Sequence, residues 1–84
     1  MNMISPNPNQ IKVVVKDFLA DPDIADEANL NHLIDSLDLL DLILTIELEF
    51  GISIFSEEIT PQNFRTLNSI TSFISTKILE ASTV

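Results

Sequence analysis

A chain of 84 residues with a formal net charge of −9 and no cysteine has room for one hydrophobic core, cannot be stapled by disulfides, and carries the wrong sign for a nucleic-acid backbone. The charge is concentrated, with twelve acids from Asp17 to Glu58 and no Lys or Arg between Lys16 and Arg65. Such a field favours solubility and basic partner surfaces, while 45% hydrophobic residues are too many for an acidic disordered tail.

Met1 to Pro6 has neither the basic cluster nor the apolar run of a signal peptide and reads as a loose tail. Asn7-Pro8-Asn9-Gln10 resembles a capping box, with Asn as cap, Pro at the first helical position and Gln three residues after the cap. Ile11, Val14, Val15, Phe18 and Leu19 follow at the spacing of one buried helical face. The first helix is expected to end near Ala20, ahead of the breaker Asp21-Pro22-Asp23. Residues 21–34 read as a long loop, with Ile24, Ala28, Leu30 and Leu33 as tacks onto the core.

The second helix is expected to start at Asp35 or Ser36 and to stop at Gly51 after Phe50. One broad face, Leu39, Leu42, Ile43, Ile46 and Phe50, is an ordinary core face. A second stripe, Leu37, Leu44 and Leu48, lies on another side beside Asp41, with Asp38, Thr45 and Glu49 on the outward arc. This stripe either packs on the long loop or stays exposed for a partner. Ile52 to Phe55 is too short for a strand without a partner and reads as loop. Thr60-Pro61 opens a very short helix through Phe64, and Thr66 caps a last helix with Leu67, Ile70, Phe73, Ile74 and Ile78 on one face. Residues 80–84 read as a frayed end. The expected fold is all-α, a single-domain bundle of three main helices plus one short helix.

The segment richest in chemistry is His32-Leu33-Ile34-Asp35-Ser36-Leu37-Asp38. A serine at a helix start sits where unsatisfied backbone N–H groups and the positive end of the dipole favour a phosphodiester. The bland alternative is that Asp35 or Ser36 merely caps the helix. His32, Asp35 and Ser36 also contain the residue types of a hydrolase triad, but three residues within five positions of a small bundle do not build a nucleophile, base and oxyanion site in a cleft. Asp21, Asp23 and Asp26 hint at calcium, yet Asp26 and His32 stand where an EF-hand loop needs Gly and Glu, so no dedicated metal site is expected.

Asp35-Ser36-Leu37 opening a helix is followed by Leu39-Leu40-Asp41-Leu42-Ile43, Glu47-Leu48-Glu49-Phe50-Gly51-Ile52, Ile59-Thr60-Pro61-Gln62-Asn63-Phe64 and Leu67-Asn68-Ser69-Ile70. Over residues 10 to 79 this pattern resembles the acyl carrier family, including peptidyl and D-alanyl carriers. The resemblance implies that a phosphopantetheinyl transferase moves a 4′-phosphopantetheine arm from coenzyme A, with magnesium assistance, onto Ser36, beside Asp35. The arm's thiol then carries acyl or aminoacyl groups as thioesters between loading and processing enzymes, and the carrier catalyses nothing. It also implies that Asp35, Asp38, Asp41 and Glu47, with Leu37 and Leu44, meet basic docking patches on those enzymes; Leu48 continues the apolar stripe. A thiol supplied from outside matches a chain without cysteine.

His32 and Leu33 stand where many carriers of this family have Gly, Phe55 where Pro is common, and Leu48 where fatty-acid carriers often have an acid. The missing glycine and the Leu33-Ile34-Asp35-Ser36 and Thr60-Pro61-Gln62-Asn63-Phe64 runs favour a standalone carrier of a specialised polyketide or nonribosomal-peptide type pathway over a housekeeping fatty-acid carrier. Phe55 and Leu48 bear on which partners dock. An acidic helical adaptor that never bears an arm is the competing function. The expected form is a monomer in the cytoplasm, with no membrane or nucleic-acid role.

Overall fold

A computed structural model describes residues 7–82; residues 1–6 and 83–84, read as the tail and part of the frayed end, lie outside the described residues. Helix α1 spans Pro8–Leu19. It starts where expected because the Asn7 side chain accepts from the backbone N–H of Asn9 at 3.0 Å and of Gln10 at 3.4 Å, and because Pro8 has no N–H to leave unpaired. It ends at Ala20, whose φ of 56° lets its N–H and that of Asp21 turn back to the carbonyls of Asp17 and Lys16. Ile11 and Val15 are fully buried, and Phe18 and Leu19 pack partly buried against the same core.

Helix α2 runs over Ser36–Phe50 and helix α3 over Leu67–Ser82. The α3 backbone therefore takes in residues 80–82, inside the segment read as frayed. Gly51 closes α2 in the left-handed region at φ 64°, returning its N–H to the Glu47 carbonyl at 2.9 Å. At the start of α3 the Thr66 hydroxyl accepts from the Ser69 amide at 3.0 Å, the cap the sequence announces. Helix α1 lies chiefly along α3 and touches α2 to a lesser extent. The core between them gathers Leu42, Ile46, Leu67, Ile70 and Ile74, all fully buried, with Phe64 set edge-on to Phe73 at 5.6 Å between ring centres. The chain is an all-α bundle of three helices, and no strand occurs among the described residues.

The connections differ from expectation in three places. Residues 21–34 contain a short 3₁₀ helix, Leu30–His32, capped by the Asn29 side chain. Within that loop Ile24 and Leu30 are buried and Ala28 half-buried as expected, but Leu33 is exposed and Ile34 packs on the core instead. The amides of Leu33 and Ile34 both turn back to the Leu30 carbonyl, at 2.9 and 3.0 Å, and this tight turn swings Leu33 outward. The short helix expected over Thr60–Phe64 is a single turn, closed by Phe64 N–H to the Thr60 carbonyl at 3.3 Å. Thr66 is already committed as the cap of α3, which leaves room for no second turn. A second 3₁₀ helix forms at Ser56–Glu58 instead.

Candidate functional site

Asp35 and Ser36 divide the two roles that the sequence left open between them. Asp35 has extended backbone, and its carboxylate accepts from the Asp38 amide at 2.8 Å, so Asp35 is the cap of α2. Its carbonyl takes the Leu39 amide at 2.9 Å. Ser36 is then the first helical residue, with an exposed side chain that makes no hydrogen bond among the described residues. A hydroxyl unused by the fold, at the end of a helix whose first amides lack carbonyl partners, is free to be esterified, and the product's phosphodiester would lie at the favourable end of the dipole.

The approach to Ser36 is less loose than a long loop implies. Asp26 is tied to α1 by the Lys12 ammonium at 2.9 Å and to α3 by its carbonyl, which accepts from the Asn68 amide at 3.1 Å. Glu27 accepts from the Asn68 side chain, and the Leu30 amide donates to the Arg65 carbonyl at 2.7 Å. The hydrogen bond from Lys12 holds the Asp26 carboxyl below the usual carboxylate range. From Asn31 to Ser36 every residue except Ile34 is exposed, so a stem tied to α1 and α3 presents a short exposed approach to the serine.

The outward side of α2 carries most of the remaining expected site residues. Leu37 is 74% exposed and Leu48 86%, with Leu44 at 56%; the long loop does not cover this stripe. Leu40, 54% exposed, belongs to the same row. Its position three residues after Leu37 and four before Leu44 would have found it from spacing alone. Asp38, Asp41 and Glu49 are exposed on one flank of the row. Glu47 differs from them, because it is half-buried and its carboxylate accepts from the Ile54 amide at 2.8 Å, pinning the chain that leaves α2.

A few residues on, Glu58 closes a small network that sequence reasoning missed. Its carboxylate accepts from the Phe55 amide at 2.9 Å and from the Lys77 ammonium at 2.9 and 3.1 Å, while that ammonium also lies 4.8 Å from the centre of the Phe55 ring. Lys77, followed by the Phe55 amide, holds the Glu58 carboxyl below its usual range. The acid three residues after Phe55 was the available signal for half of this network; no local pattern announces Lys77, nineteen residues farther on.

A cavity of about 250 Å³ opens among Leu30, Ile34, Leu39, Ile59 and Phe64, with Asn31 and Thr60 at its edge. Ile34 and Leu39 bracket Ser36 in sequence, so this apolar recess lies at the same end of α2 as the serine. His32, Asp35 and Ser36 are all exposed and make no hydrogen bonds with one another. Among the described residues no three His, Asp or Glu side chains converge to hold a metal ion, and no helix is long and apolar enough to cross a membrane. Every buried side-chain nitrogen and oxygen among them has a hydrogen-bond partner.

Among known protein families, the model described as a phosphopantetheine attachment site matches the chain over residues 9–74. No individual curated protein matches the chain significantly. The matched span begins inside α1 and ends inside α3, and includes the whole of α2.

Proposed function

Since the chain belongs to the phosphopantetheine-attachment family and is a carrier whose cofactor is covalent 4′-phosphopantetheine, we propose that Ser36 is the residue that accepts the arm. The observation that carries this reading is the division of labour at the start of α2: Asp35 makes the capping bond, and the Ser36 hydroxyl is exposed and unbonded. Once attached, the arm supplies a thiol for carrying acyl groups as thioesters. The protein's own residues hold the acceptor at a fixed helix end, keep the approach open and present a docking face.

That face comprises Leu37, Asp38, Asp41, Leu44 and Leu48, to which the exposed Leu40 is added. Asp35 and Glu47 serve it by fixing the two ends of the helix. A phosphopantetheinyl transferase reads this surface first, and acyl- or aminoacyl-loading and processing enzymes with basic patches read it afterwards. His32 and Leu33 ahead of the serine, where many carriers have Gly, support a specialised biosynthetic pathway of polyketide or nonribosomal-peptide type over housekeeping fatty-acid synthesis. The cysteine-free sequence fits a reducing compartment such as the cytoplasm.

Incubation with coenzyme A, magnesium and a broad-specificity transferase, followed by intact mass measurement, tests the assignment. A mass gain of one arm is expected for the wild type and none for Ser36→Ala. An unchanged gain in Ser36→Ala would move the arm elsewhere, and no gain in the wild type would favour the armless adaptor.

A further inference from the structure

A second recess, of about 370 Å³, lies at the other end of α2 from the serine, where the first turns of α1 meet the last turn of α2. Val13, Val14 and Phe50 form its apolar floor, and Asn9, Gln10 and Glu49 its polar rim. Phe50 closes the helix that Ser36 opens, so the recess lies about 21 Å from the acceptor. Val13 is 55% exposed, and it stands on α1, apart from both the core and the leucine row of α2.

Directly ahead of Asn7 the sequence runs Met1-Asn2-Met3-Ile4-Ser5-Pro6, which holds Met1, Met3 and Ile4 as apolar side chains and no charged one. It joins α1 at the end where Asn9 and Gln10 form the rim. Six extended residues reach about 20 Å, and Val13 stands only about 9 Å along α1 from Asn7. Ser5-Pro6 is a turn-favouring pair, and methionine moulds itself to irregular apolar gaps.

We propose that this segment doubles back at Ser5-Pro6 and lays Met3 and Ile4 over Val13, Val14 and Phe50, closing the seam between α1 and α2. Burial of these apolar side chains against one another supplies the drive, and the covalent link gives the segment an effective concentration on the order of millimolar. Its lack of charge matters, because an acidic segment would be repelled by Glu49 and by a chain of net charge −9. The same repulsion makes a second copy of the chain a poor occupant. The proposal is independent of the carrier reading.

Methyl NMR on the full chain is the first test. Contacts are expected between the Ile4 and Val13 methyls, and within one copy when labelled and unlabelled protein are mixed. Thermal melts of the wild type, Val13→Thr, Ile4→Thr and the double variant are the second, since threonine keeps the β-branching of both side chains. Each single change is expected to lower Tm by about 4 °C. The double variant should fall no further than either one, because both changes break the same contact. Missing methyl contacts would overturn the proposal, as would contacts between copies. Single variants that melt with the wild type, or losses in Tm that add in the double variant, would overturn it equally.

Discussion

Helices α2 and α3 are nearly equal in length, at 15 and 16 residues, yet they meet water in different ways. Helix α3 buries Leu67, Ile70, Ile74 and Ile78, and the solvent side of its first three turns is uncharged, with Asn68, Ser69, Ser72 and Thr76. Helix α2 buries Leu42, Ile43 and Ile46 and turns four leucines outward beside a line of acids. The core accounts for one face of each helix. An apolar row that the fold itself leaves uncovered costs solubility and adds no packing, and this is the face on which we propose that partners dock.

The largest expected effect tests that division directly. Ile46→Ala in α2 and Ile74→Ala in α3, both at fully buried positions, are each expected to cost about 2–5 kcal/mol in chemical denaturation. Leu48→Ala and Ser72→Ala are expected to stay within about 0.5 kcal/mol of the wild type. A Leu48→Ala variant as unstable as Ile46→Ala would mean that the outer row belongs to the core after all.

The caps come next. Asp35→Ala and Thr66→Ala each remove a side-chain acceptor from a helix start and are expected to cost about 1 kcal/mol apiece. In α3 the loss should be one of stability alone. In α2 it should also slow arm attachment, because the fraying turn carries Ser36. Equal attachment rates in Asp35→Ala and the wild type would separate the serine's reactivity from the order of its helix.

The smallest effect concerns the pairing of α3 with the chain that follows α2. Lys77 holds the Glu58 carboxyl below its usual range, so the pair stabilises the fold above the unfolded carboxyl's pKa. That contribution is lost as pH falls through the depressed folded value. Thermal melts of the wild type and Lys77→Met, taken from neutral pH down to about pH 3, should show a gap that narrows as the solution becomes acidic. A gap independent of pH would leave only the contact between Lys77 and Phe55 as the source of the stabilisation.

Much of this was legible in the sequence because it is local. The Asn7-Pro8 start, the Gly51 stop, the Thr66 cap and the core residues of all three helices follow from spacing within a few positions. The position of Ser36 at a helix start was equally plain, although sequence could not say whether Asp35 or Ser36 made the cap. What escaped depends on contacts distant in the chain. The spacing makes Leu33 a tack, but the turn around Leu30 leaves Leu33 exposed and packs Ile34 on the core. Glu47 looks like another docking acid until its bond to the Ile54 amide is seen. The ties from Asp26 to Lys12 and Asn68, which stiffen the approach to the site, join three elements that no periodicity relates.

Locating the arm on the chain is the most direct measurement. After transfer from coenzyme A, proteolysis and fragment mass analysis would assign the added mass to one residue among the chain's serines. The expected result places all of it on Ser36. An arm found on Ser53 or Ser56, or spread over several serines, would contradict the claim that the exposed hydroxyl behind the Asp35 cap is what makes this chain a carrier.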